Sequence, residues 1–331
     1  MPPELAAAHR RQSRLQHAVG QNVGLLLVVA LLLAAVLLYV AFYWLRQHSL
    51  PGGFELTSTV NNTMPLAMAA IGQTIVVLTR GLDLSVGGIM DLTNALAAVH
   101  MQDDPLSMAA WTVIVLLVGA LLGLLNGLLV GLGRLQPIVV TLATLSIFQG
   151  VAIRILPQPG GAIPPGYTAA LVNTDAPWAL VYVVLCGVLW LAFRRSALGV
   201  AVIAIGNDEG AARANGIDVV RAKVAAYTLS GVFAAAGGLF LAATATAGDA
   251  TSGNAFTLSS IVAVVLGGVN LFGGRGSAVG AIAGAFVTTM IVNILFFSEI
   301  DPLYQSFYEG LFLIVAVVLG GVVGRLVRRA R

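Results

Sequence analysis

Residues 261–286 read IVAVVLGGVNLFGGRGSAVGAIAGAF. A polar turn separates two apolar runs in this stretch, and its members are Gly273, Gly274, Arg275, Gly276 and Ser277. Apolar runs of this kind are typical of membrane-embedded helices, whereas an arginine among glycines favours a loop at the membrane surface. We therefore predict that one membrane helix ends before the turn and another begins directly after it.

The composition of the whole chain supports a membrane location. Of 331 residues, 58% are hydrophobic and only 9% are charged, against about 25% charged residues in soluble globular domains. The single cysteine, Cys186, lies in an apolar run. This excludes an internal disulfide and a cysteine-based metal site. We expect an all-α polytopic membrane protein without cofactors.

Further apolar runs predict about ten transmembrane helices, since one crossing needs roughly 20 residues. The predicted spans are 22–45, 60–79, 84–101, 108–133, 137–156, 176–193, 224–247, 257–272, 278–298 and 306–324. The connecting loops are too short to fold alone, so we predict a single membrane domain over residues 1–331.

Basic residues indicate the orientation of these spans. With a cytoplasmic amino terminus and ten crossings, fifteen of the seventeen lysines and arginines lie on the cytoplasmic side. The two exceptions are Arg46 and Arg154. Because basic loops stay cytoplasmic, we predict that both termini are cytoplasmic. The net charge of +3 thus reflects topology, and no nucleic-acid partner is expected.

The loop 194–223 carries a second signal. It reads RRSALGVAVIAIGNDEGAARANGIDVVRAK, in which Glu209, Ala211, Ala212 and Arg213 form a helix-prone run that Gly216 can end. The small residues of such a surface helix fit a cleft in a partner protein. Glu209 and Arg213, four positions apart, can pair on one face.

Both segments resemble the permease subunits of ribose-type ATP-binding-cassette (ABC) sugar importers. Those permeases carry a Leu-Phe-Gly-Gly-Arg-Gly-Ser turn, which this chain has at 271–277. They also carry a coupling loop with Ala-Ile-Gly followed by an acidic residue before Ala-Ala-Arg, which residues 204–213 resemble. The family places its acidic residue directly before the alanine pair. Here Gly210 takes that place, and Glu209 stands one position earlier.

Two more segments extend the resemblance, in the order that the family has them. Residues 79–88, TRGLDLSVGG, resemble the family's Gly-Ile-Asp-Leu-Ser-Val-Gly stretch, and 126–144 resemble its Asn-Gly, Pro and Thr-Leu pattern. The matched segments run from roughly residue 60 to 290.

The resemblance implies a fold similar to type II ABC importer permeases, in the cytoplasmic (inner) membrane of a bacterium. It implies three partners: a second permease chain, either identical to this one or closely related, a cytoplasmic ABC ATPase and an external sugar-binding protein. Residues 194–223 become the cytoplasmic coupling loop, with Glu209, Ala211, Ala212, Arg213 and Gly216 as ATPase-coupling residues. The expected activity is import of a monosaccharide or related polyol by alternating access.

Several polar residues inside the predicted spans are candidates for the translocation path: Gln73, Asp91, Asn94, Asn126 and Asn293. A buried aspartate is costly in a bilayer and therefore faces protein or water. Asp91 either lines the path or caps backbone amides at a helix interrupted near Gly87 and Gly88. The amides either contact solute hydroxyls or join helices. Asp83 is expected to cap a helix at the cytoplasmic edge.

The sequence does not indicate an enzyme. It has no G-x-x-x-x-G-K-[ST] motif, because the only lysine, Lys223, follows Ala222. ATP hydrolysis is therefore expected from another subunit. The alternative function is a proton-coupled secondary sugar transporter in which Asp91 carries the proton.

Overall fold

A computed structural model describes residues 28–176, 178–298 and six further positions between 304 and 314. Within this part of the chain the secondary structure is helical, apart from one bridge between Gly160 and Gly248. The helices are α1 Val28–Gln47, α2 Gly53–Leu78, α3 Val86–His100, α4 Pro105–Gly131, α5 Pro137–Ile155, α6 Pro165–Val172, α7 Ala179–Arg195, α8 Ala197–Asn207, α9 Glu209–Ala214, α10 Val219–Ala245, α11 Asn254–Leu266 and α12 Ala278–Phe297.

Five of these helices, α1, α4, α5, α10 and α12, are long and apolar enough to cross a membrane. The number rises to six if α7 and α8, which meet at 73°, form one broken span. The predicted spans 84–101 and 257–272 correspond to shorter helices, α3 with 15 residues and α11 with 13. The predicted span 306–324 lies almost wholly outside the described residues. A multi-pass membrane protein follows, and the described residues contain five or six long spans, so the predicted count of ten is not confirmed.

Helix α10 packs against α2, α3 and α4, and its contact with α4 brings two backbones together. Gly119, Gly123 and Gly127 of α4 lie against the α10 backbone, and a Cβ at Gly123 would overlap the carbonyl oxygen of Tyr227. Gly284 of α12 meets α11 in the same way. Small residues allow such close approach in lipid, where burial of apolar surface does not drive helix association.

Polar side chains set the beginnings of the two helices of the loop 194–223. Ser196 accepts a hydrogen bond from Gly199 N at the start of α8, and Asp208 accepts one from Ala211 N at the start of α9. Each satisfies an amide that has no partner within its helix. The cap at Asp208 divides the loop 194–223 into two helices, whereas the sequence predicted one.

The predicted orientation can be tested by cysteine labelling in a Cys186→Ser background. Phe272 in the turn between α11 and α12 is 83% exposed, and Asp103 is exposed in the turn between α3 and α4. Because basic loops stay cytoplasmic, a membrane-impermeant maleimide added to whole cells should label Asp103→Cys and leave Phe272→Cys unlabelled. Labelling of Phe272→Cys alone would contradict the orientation.

Candidate functional site

The loop between α7 and α10 forms a compact unit on one end of the bundle. Helix α8 turns away from α7 by 73°, and α9 follows it after Asp208. Gly216, just past the end of α9, has φ +83°, a conformation that glycine adopts at low cost. The six-residue helix α9 is therefore separated from α10 by a tight turn.

Glu209 fixes α9 to the start of α10. Its Oε1 lies 3.2 Å from Arg213 Nη2, and its Oε2 accepts a 2.7 Å hydrogen bond from Lys223 Nζ. The hydrogen bond from Lys223 holds the pKa of the Glu209 carboxyl below its ordinary value. The predicted pairing with Arg213 is present, and the second pairing, with Lys223, was not predicted.

The two alanines of α9 have different surroundings. Ala212 is buried and packs with Ile205, Val219 and Ala222. Ala211 is exposed, together with Gly210 before it. Only Ala211 and its exposed neighbours can offer a surface to a partner, whereas Ala212 holds α9 against α8 and α10.

Three loops meet beside α9. Gly274, in the turn between α11 and α12, donates its backbone amide to Leu78 O at the end of α2, over 3.1 Å. Asn207, the last residue of α8, donates its side-chain Nδ2 to Gly274 O over 3.2 Å. We call the hydrogen-bonded group of Leu78, Arg80, Gly206, Asn207 and Gly274 the cytoplasmic junction, after the side of the membrane on which the sequence predicts these loops.

Arg80 completes the cytoplasmic junction and was not predicted as a functional residue. Its Nε donates to Gly206 O over 2.9 Å and its Nη2 to Asn207 O over 2.7 Å. These are carbonyls at the end of α8, where the helix dipole favours a cation. Arg80 itself has φ +65°, an uncommon conformation for a residue other than glycine. Its position beside Gly81 was the only signal in the sequence.

The glycines of the turn 273–277 are required by this packing. Gly274 has φ +71°, and a Cβ there would lie 2.8 Å from Asn207 N. A Cβ at Gly206 would overlap both Leu78 O and Gly274 N. Backbone can meet backbone here because no side chain intervenes. Of the other predicted members of the turn, Arg275 is exposed and Ser277 caps α12.

Asn126 belongs to a buried network rather than to an open channel. Its Nδ2 donates to Ser85 Oγ over 2.7 Å, and Ser85 Oγ donates to Asp83 Oδ1 over 2.6 Å. Ser230 Oγ on α10 donates to Asp83 Oδ2 over 2.8 Å. Asp83 is fully buried within the protein, and its place at the cytoplasmic edge of the membrane stays a prediction. As predicted, it satisfies a helix-start amide, that of Ser85.

Asp91 and Asn94 hold the segment between α10 and α11. Asp91 Oδ1 accepts a 2.6 Å hydrogen bond from Gly253 N, directly before α11. Asn94 Oδ1 accepts one of 2.8 Å from Asp249 N. Asp91 thus caps a backbone amide, one of the two roles considered from the sequence, but the helix that it caps is α11 rather than α3.

The remaining path candidates lie elsewhere in the bundle. Gln73 on α2 is fully buried, and neither atom of its amide has a hydrogen-bond partner. Asn293 on α12 is partly buried and donates to Thr59 Oγ1 over 3.3 Å. The five candidates therefore do not form one site. Among the described residues, no group of histidine, cysteine and carboxylate side chains could hold a metal ion.

Comparison with known proteins gives one family match. Residues 56–317 match the family described as branched-chain amino acid transport system / permease component. This region contains the cytoplasmic junction, α9 and the turn 273–277. No solved structure matches the chain.

Several curated proteins are similar over most of their length. The ribose import permease protein RbsC of Haemophilus influenzae is 30% identical over 83% of this chain and 88% of its own. RbsC of Bacillus subtilis is 34% identical over 76% of this chain and 80% of its own. The Autoinducer 2 import system permease protein LsrC of Escherichia coli is 31% identical over 88% of this chain and 86% of its own.

The tight packing of the cytoplasmic junction can be tested with Gly206→Ala. The added methyl group overlaps backbone atoms that have no room to move, and overpacking of this kind costs about 1 to 3 kcal/mol. We expect a lower thermal midpoint for the purified protein in detergent. Gly187→Ala on α7 is the control, because a Cβ there has nothing within 4 Å. Equal midpoints for both variants would contradict the packing described.

Proposed function

We infer the function of this chain from its family. The chain belongs to the permease components of ABC importers. We propose that it moves a sugar or related polyol inward by alternating access. The chain is the membrane permease subunit of such an importer. ATP hydrolysis then takes place on a separate cytoplasmic ATPase, and an external solute-binding protein delivers the solute. The observation that carries this proposal is the surface helix α9, which is fixed to α10 by the ion pair of Glu209 with Lys223.

Helix α9 has the properties of a docking element for the ATPase. Its outer face carries Gly210, Ala211 and Ala214, which are small and exposed. Its inner face is held by Ala212 and by the bond from Lys223 to Glu209. A small-residue face admits close contact with a partner, and the fixed inner face passes displacement to α10. We assign Glu209 to holding α9 rather than to direct contact with the ATPase.

The cytoplasmic junction provides a route from α9 to the membrane helices. Arg80 and Asn207 connect the end of α8 to the α2–α3 loop and to the turn before α12. Movement of α8 and α9 would therefore shift the ends of α2 and α12 together. Coordinated displacement of several helices is what alternating access requires.

The solute class follows from the relatives rather than from the family description. The family is described by branched-chain amino acid transport, whereas the similar proteins named for a solute import ribose or Autoinducer 2. We give more weight to the relatives, because each of them matches most of this chain and most of its own length. A pentose or another small polyhydroxylated compound is the proposed solute.

The proposed assembly contains two permease chains, one of which is this chain. Ten crossings with both termini cytoplasmic remain our proposal for the topology. It is supported by the charge distribution, since this topology places fifteen of the seventeen basic residues on one side of the membrane, as expected for the cytoplasmic side. In this arrangement α3 and α11 are short crossings enclosed by longer helices.

The docking role can be tested by Ala211→Trp in the importer reconstituted with its ATPase and binding protein. A tryptophan on the exposed face of α9 should block the contact and leave the permease folded. We expect the loss of ribose uptake and of solute-stimulated ATP hydrolysis. Ala211→Ser, which keeps the residue small, should retain both activities.

The interpretation of this experiment depends on folding. Ala211→Trp should keep the thermal midpoint of the unmodified permease, because Ala211 is exposed. A bulky residue at the buried Ala212 should instead lower that midpoint. Full transport by Ala211→Trp would reject α9 as the docking element.

The alternative function, proton-coupled transport through Asp91, is testable in vesicles that hold the purified chain alone. An ABC permease without its ATPase should not accumulate solute under any pH gradient. Asp91→Asn keeps an acceptor oxygen for Gly253 N, so ATP-driven uptake by the assembled importer should persist in part. Gradient-driven accumulation by the chain alone, abolished in Asp91→Asn, would establish the alternative.

A further inference from the structure

The chain between α10 and α11 returns into the protein before α11 begins. Gly238 of α10 lies beside Asn94 of α3. Helix α10 continues to Ala245, and the chain then reverses at Thr246, which has φ +55°. By Asp249 it is again beside Asn94, to which it is hydrogen-bonded.

Beyond Asp249, the chain continues alongside α3 as far as the first turn of that helix. Gly253 donates to Asp91 Oδ1 and lies against Gly87. Residues 248–253 therefore run antiparallel to α3, without helical structure, from the level of Ala98 to that of Gly87, within the predicted span 84–101. Non-helical backbone is tolerated at membrane depth only where protein encloses it or where it lines a water-filled cavity.

The two faces of this segment differ. The inner face is buried and made of small residues, Gly248, Ala250 and Gly253. The outer face is polar: Thr246 and Thr251 are exposed, and Asp249 is partly exposed. Unlike the buried Asp83, this face does not belong to an enclosed hydrogen-bond network.

The segment is also held in a fixed position. Gly160 and Gly248 exchange backbone hydrogen bonds of 2.9 and 2.8 Å, and Ile163 N donates to Thr246 O over 3.1 Å. Asp249 Oδ1 accepts from both the backbone and the hydroxyl of Thr251, over 2.8 and 2.7 Å. Polar groups kept in place at membrane depth require water or a polar ligand on their exposed side.

We propose that residues 246–252 form a wall of the solute path and contact a polyhydroxylated solute through Asp249 and Thr251. This inference rests on the proposed importer function and deepens it. A carboxylate accepts hydrogen bonds from solute hydroxyls, and a threonine hydroxyl can donate or accept. The segment is reached from the external side, where α10 ends. None of the polar residues selected from the sequence belongs to this wall.

The first test is the accessibility of the segment in the assembled importer. In a Cys186→Ser background, Thr251→Cys should react with a positively charged methanethiosulfonate reagent added from outside. Once modified, it should import ribose at least about tenfold more slowly than the untreated protein, because the bulky group fills the path. Asp103→Cys, in the exposed turn after α3, is the control and should react without loss of uptake. An unreactive Thr251→Cys, or full uptake after its modification, would overturn the proposal.

The second test addresses the contact with solute. Asp249→Asn keeps an acceptor for the Thr251 amide, so the segment should remain folded, but it removes the negative charge. We expect ribose uptake to fall by about tenfold, the effect of one charge-assisted hydrogen bond, with the binding protein still saturated. Asp103→Asn should transport normally, and equal uptake by both variants would reject the role of Asp249.

Failure of this proposal can be distinguished from failure of the importer function. Absence of ATP-driven uptake by the unmodified assembly would contradict the function. In that case the labelling of Thr251→Cys still decides whether the segment faces water. A cysteine that reacts only with an apolar maleimide would place the segment against lipid and overturn the proposal.

Discussion

Backbone amides and carbonyls inside a bilayer need partners from the protein itself, and the non-helical parts of this chain are arranged around that need. Asp91 and Asn94 supply acceptors for the segment before α11. Asp83 does the same at the start of α3. Arg80 supplies donors for carbonyls at the end of α8. The buried Asp83 and Asp91 thus allow α3 and α11 to begin away from water, whereas the exposed Arg80 holds the end of α8 at the surface.

The same requirement explains the distribution of glycine. Gly206 and Gly274 let the end of α8 and the turn before α12 meet directly, so that backbone groups of one loop satisfy those of another. A junction joined in this way resists independent movement of its parts. In a permease driven by a separate ATPase, such rigidity is useful, because displacement of α8 and α9 reaches both α2 and α12.

The polar residues inside the membrane fall into two groups that differ in burial and in function. Asn126, Asp91 and Asn94 are almost entirely buried and are committed to structure. By contrast, Asp249 and Thr251, on the irregular segment after α10, remain partly or fully exposed. The free-energy cost of burying an unpaired polar group favours this division, although the amide of Gln73 is buried without a hydrogen-bond partner among the described residues.

The sequence by itself determined the membrane location, the all-α class, the family and the surface helix at Glu209, because composition and short-range spacing carry these properties. It also identified the turn 273–277, whose glycines stand out against apolar neighbours. Only the tertiary structure decided that Ala212 faces inward while Ala211 faces out, that Arg80 joins three loops, and that Asp91 caps α11. The contacts of Arg80 and Asp91 link positions more than a hundred residues apart, and no local pattern specifies which distant backbone group a side chain will meet.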